Sequence, residues 1–154
     1  MKIGTALAAL TLMASAASAQ TPPPSDRALL HGGLREVDTW VTKAAELVPA
    51  DRYSYRPIAT VRTFGALVAH IADGMNWYCA NAAGKKTEWS DAVEKGPTDK
   101  ATVQAALKTA IANCHSVTNT GQMKELMANI GHTNLHYGNM VTYLRMMGMA
   151  PPSS

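Results

Sequence analysis

Much of what would name a function outright is scarce in this chain. Charged residues are only 16% of its 154 positions, and the formal net charge is +3. The basic residues are scattered, with no run longer than Lys85-Lys86. A nucleic-acid binder normally carries a basic stripe or patch, so that class is excluded. No stretch alternates apolar and polar residues over the length of a strand, which excludes a β-rich fold. No Ser-His-Asp or Cys-His arrangement points to an organic nucleophile. The length allows one domain and is too short for two well-packed ones.

What is present begins with a leader. MKIGTALAALTLMASAASAQ has one positive charge at Lys2, an apolar run from Ile3 to about Ala14, then Ala17-Ser18-Ala19. A basic start, a hydrophobic centre and a small-x-small site are the marks of a secretory signal peptide. The apolar run is short for a bilayer span, so cleavage after Ala19 is expected rather than a retained membrane tether. Residues 1–19 are therefore assigned to the signal peptide, 20–24 to a proline-rich linker and 25–154 to the folded domain. The mature protein is expected in the periplasm or secreted. Export changes the meaning of the two cysteines. In an oxidising compartment Cys79 and Cys114 are candidates for one disulfide, the alternative being two buried thiols.

Apolar spacing is helical nearly throughout. After Thr21-Pro22-Pro23-Pro24, Ser25 can cap a helix with Leu30, Leu34, Val37, Val41, Ala44 and Val48 on one face. A second helix is expected from near Val61 to Gly84. A third follows a cap at Thr98, and a fourth carries Met123, Leu126, Met127, Ile130, Asn134, Tyr137, Val141 and Leu144. The pattern predicts an all-α four-helix bundle with a longer crossover between the second and third helices. Short connections between the first and second, and the third and fourth, suit antiparallel neighbours.

The chemistry concentrates in GHTNLHYGNMVTYLR. His132 and His136 stand four apart, on one helix face, within reach of a shared metal. His70 adds a third imidazole beside the apolar stripe of the second helix, and Gly74 one turn on leaves room for it. Three histidines leave an open coordination position, the arrangement of a catalytic rather than a closed structural site. Hydrogen-bonded core histidines are the alternative. Asp73, Asn76, Trp77 and Asn139 are candidates for supporting the imidazoles or walling a pocket. Asp73 has a salt bridge or a solvated surface role as its simpler explanation. His31 and His115 are left out as solvated or packed.

The pieces YSYRP, RTFGALVAHIAD and HTNLHYGNMVTYLRMMGMAPPSS resemble the DinB superfamily of four-helix-bundle proteins, over Ser25 to Ser154. The resemblance implies a metal centre with one histidine from the second helix and two from the fourth, here His70, His132 and His136. It implies nickel or zinc as the divalent transition metal, and frequently a homodimer. Relatives near this pattern often place an acid immediately before the second histidine of the pair, where this chain has Leu135. That departure weakens the case for catalysis but not for binding.

Two functions follow as expectations. One is an exported metal-dependent hydrolase acting on an unidentified small molecule. The thiol-dependent transferase activity of some relatives is less suited to an exported chain, which would not meet cytoplasmic thiols at the same level. The other is a non-catalytic bundle that its ion binds, stabilises or dimerises. The absence of a recognisable general base near the histidines favours the second.

Overall fold

The computed structural model describes residues 22–154. The signal peptide expected over residues 1–19 lies outside them, as do the first two residues of the linker. Four helices follow: α1 (Asp26–Leu47), α2 (Phe64–Ala82), α3 (Lys100–Val117) and α4 (Met123–Met146). The fold is an all-α four-helix bundle.

The helix starts are written locally. The Ser25 hydroxyl accepts from the Ala28 amide, Thr63 from Ala66 and Asp99 from Thr102, each at 3.1–3.2 Å. Each satisfies a donor that has no partner within its helix. Two starts differ from expectation. α2 begins after Thr63 rather than near Val61, which lies exposed in the preceding turn. α3 is capped by Asp99 rather than Thr98. Gly84 and Gly148 sit at φ +81° and +77° just past α2 and α4, a conformation glycine adopts without strain.

The core contains Leu34, Val41, Phe64, Ile71, Met75, Leu126, Met140 and Leu144, all fully buried. On α4 the inward face differs from the apolar stripe. Asn129 and Thr133 are buried, whereas Met127 and Asn134 face solvent. Among the described residues no helix is long and apolar enough to cross a membrane.

The helix order around the bundle also differs from expectation. α1 packs on α3 and α4, and α2 packs on α3 and α4. The pairs α1–α2 and α3–α4 therefore lie across the diagonals and are not neighbours. Directions follow from the contacts. Gly33 meets Ile130 and Trp40 stacks on Tyr137, so α1 and α4 run parallel. Gly65 meets Thr98, and Cys79 is bonded to Cys114, so α2 and α3 run parallel too. The α1–α2 connection is not short. It holds a 3₁₀ turn at Ala50–Arg52 and sends Tyr53 and Tyr55 inward onto Phe64 and Tyr143.

Parallel neighbours impose one consequence. The chain leaving α2 must travel back along the bundle before α3 can start, and the crossover does so beside α2. Trp77 donates to the Thr87 carbonyl, Asp73 accepts from residues 93 and 94, and Gly65 meets Thr98. This returning strap covers the face of α2 that carries His70.

Candidate metal centre

His70 is buried on α2, with 8% of its surface exposed. Across the α2–α4 seam stand His132 and His136, both half-buried. Their ring centroids are 4.6 Å apart, and they lie 5.2 and 4.6 Å from that of His70. One ligand nitrogen from each ring lies within 4.8 Å of the others. The three imidazoles converge.

Gly74 makes this possible. A Cβ at that position would clash with the His132 Cε1, so glycine is what lets α4 bring that imidazole against α2. The electrostatics favour lone pairs over protons. Burial, then the neighbouring His136, His70 and Arg62, hold His132 down at about 4. Burial, then His70 and Arg62, hold His136 down at about 4. Both rings are therefore neutral at pH 7, the form that binds a metal. The Nδ1 of His132 is buried without a hydrogen-bond partner, a cost a native interior normally avoids. Convergence, neutral rings and an orphaned nitrogen together fit a divalent transition metal.

A carboxylate completes the cluster, and the sequence pattern did not single it out. Glu94, on the strap, places Oε2 3.0 Å from His70 Nδ1 and accepts from Arg62 Nε through Oε1 at 2.7 Å. With Nδ1 donating to the carboxylate, His70 keeps Nε2 for a ligand, the common carboxylate–histidine arrangement around metals. Asp73 puts Glu94 there. Its buried carboxylate accepts from the Val93 amide at 3.0 Å and from the Glu94 amide at 2.9 Å. It is neither a salt-bridge partner nor a solvated surface group. The only sequence signal for Glu94 was an acid in the crossover, a place where Glu88 and Asp91 stand as well.

The other candidates divide. Asn139 approaches His136, its Nδ2 3.4 Å from the ring Nδ1. Trp77 holds the strap through Thr87 and lies 5.7 Å from Trp89, which in turn covers His70 at 5.5 Å. Asn76 is exposed on the α3 side beside Asn113, away from the histidines. Leu135 is 66% exposed and turned outward, so an acid at that position would not face the cluster. His115 pairs with Asp38 at 2.8 Å, far from the cluster. Cys79 and Cys114 are joined by a disulfide with Cα atoms 5.1 Å apart, tying α2 to α3.

A cleft opens onto this centre between the α1–α2 connection and α4, lined by Thr60, Val61, Arg62, Leu67, Glu94, His136, Asn139 and Tyr143. A family model described as the DinB superfamily matches residues 34–151. No curated protein matches the chain.

Proposed function

From the premise that this chain belongs to the DinB superfamily, we propose that it is an exported metal-dependent hydrolase whose His70, His132 and His136 hold one divalent ion, nickel or zinc. The observation that carries this is the convergence of three ligand nitrogens within 4.8 Å beside an open cleft. A closed structural site would surround its ion with protein donors, whereas this one leaves a side open. When bound, the ion supplies Lewis acidity, polarising an oxygen or sulfur brought against it.

The chain's own residues supply the rest. Glu94 Oε2 fixes the ring and tautomer of His70 through Nδ1. Its carboxylate is also a proton acceptor at the cleft floor, the base that the sequence pattern lacked. Asn139 lines the cleft beside His136. Trp89 packs 5.5 Å from His70 and 5.9 Å from His132, shielding that side of the centre from water. Export is supported by the leader over residues 1–19 and by the Cys79–Cys114 disulfide, which suits an oxidising compartment.

The test is elemental analysis of untagged mature protein, repeated on His70→Ala, followed by a panel of ester, amide and phosphoester substrates. Equimolar metal in the first and none in the variant is the expected result. An equal metal content in both would end the assignment. A second reading, a bundle its ion only stabilises, is favoured by the ligands coming from two helices. An ion there cross-links α2 to α4 whether or not chemistry follows. It predicts loss of metal and of melting temperature in His136→Ala, with no hydrolysis in any wild-type assay. A homodimer remains part of the proposal through family membership, and its measure is the mass of the mature protein in solution.

A further inference from the structure

We propose that Arg62 is an anion-docking residue, and that the small molecule entering the cleft carries a carboxylate or phosphate group. This deepens the metal-centre proposal and rests on it for the net charge of the site. Arg62 is held at both ends. The Tyr143 hydroxyl donates to its backbone carbonyl at 2.9 Å, and its Nε donates to Glu94 at 2.7 Å. That leaves the two Nη nitrogens without a protein acceptor among the described residues, on a side chain 41% exposed and lining the cleft. Two parallel N–H donors on a planar guanidinium match the two oxygens of a carboxylate or phosphate. Because the side chain is already fixed, docking costs little further conformational entropy.

Charge points the same way. Glu94 balances Arg62 and Asp91 pairs with Lys95, so a dication held by three imidazoles would leave excess positive charge that only the Asp73 carboxylate, already turned to the Val93 and Glu94 amides, offsets. An anionic group offsets that excess. The cleft, about 490 Å³, is the size of a small metabolite rather than a polymer segment, and it runs from Arg62 to His136. An oxyanion on the Nη pair would orient the remainder of the molecule toward the histidines.

The experiment is calorimetric titration of the metal-loaded protein with acetate and with inorganic phosphate at constant ionic strength, on wild type, Arg62→Gln and Arg62→Lys. Constant ionic strength separates docking from the general field of the protein. Millimolar binding of at least one anion by wild type is expected, weakened at least about tenfold in Arg62→Gln and partly restored in Arg62→Lys. Metal content should be unchanged in both variants. Preference for phosphate or acetate then assigns the substrate's anionic group. Failure of wild type to bind either anion, or equal binding by Arg62→Gln, would overturn the proposal. If wild type carries no metal, the metal-centre proposal fails on its own. The same titrations on the metal-free chain still decide Arg62, by whether the Gln substitution removes binding.

Discussion

Two seams of the bundle set histidine against a carboxylate, and they treat it differently. On the α1–α3 seam a single imidazole, His115, meets a single carboxylate, Asp38, at 2.8 Å, with 40% of the histidine side chain in solvent. On the α2–α4 seam three imidazoles converge, one of them hydrogen-bonded to Glu94, which also serves Arg62, with Asp91 within 4.8 Å of both His70 and Glu94. The first pair joins one ring nitrogen to one carboxylate oxygen and leaves the other, Asp38 Oδ1, buried without a partner, with no second imidazole beside it. The second has more nitrogen lone pairs than the protein uses, and an excess of that kind is what a cation takes up.

The sharpest way to break the contrast is Gly74→Val. The added side chain must displace His132, so metal affinity should fall at least about a hundredfold, and stability by about 1–3 kcal/mol from overpacking. A chelator-competition titration and a thermal melt measure the two. Retained affinity would show that His132 is not needed for the ion.

Glu94→Gln tests whether the carboxylate on His70 matters to the ion. It keeps the shape but removes the charge, and affinity should fall about 10–100-fold with little change in melting temperature. Asp73→Asn should move affinity in the same direction by loosening the strap that carries Glu94.

Acidity separates the seams by sign. His132 and His136 titrate at about 4 when folded, against 6.5 without the fold, so the native state holds fewer protons than the unfolded chain. Their contribution to stability is complete above about pH 6.5 and is lost as pH falls toward 4. Asp38 is the reverse. Burial raises its carboxyl despite the His115 hydrogen bond, so its contribution is present at low pH and lost as pH rises through the raised value. The melting temperature of chelator-treated protein should drop between pH 7 and pH 5. His132→Gln with His136→Gln should flatten that slope, and an unchanged slope would contradict the assignment.

The smallest effect on the ion belongs to His115→Ala. It removes the hydrogen bond of the buried Asp38 carboxylate, which should cost about 1–3 kcal/mol of stability, and metal content should not change. A measurable loss of metal there would erase the distinction between the seams.

What could be anticipated from the sequence depended on whether the information was local. Helical period, the caps at Ser25 and the spacing of His132 and His136 are properties of neighbouring residues, and the fold class follows from them. Helix adjacency does not. Connection length limits reach but does not choose between a side neighbour and a diagonal, and α1–α2 took the diagonal. Asn76 failed for an angular reason. Six residues beyond His70 at about 100° each puts it some 240° around the helix, facing α3. Glu94 and Arg62 could not be found by periodicity, because both lie outside helices and are aimed by tertiary partners, Asp73 and Tyr143. Asn129 and Thr133 reached the core where an apolar stripe was expected to fill it. A polar residue in an interior is legible only once its surroundings are known.

The placement of the three imidazoles on the second and last helices has a consequence for the order of events as the protein is made. A nascent chain that has extended only through α3 owns a single one of them, and an isolated α4 presents the other two without the glycine-lined wall that seats them. An ion held by all three would therefore be taken up only once the carboxyl-terminal helix has closed against its partner. Its identity would then depend on which metals are at hand when that closure occurs.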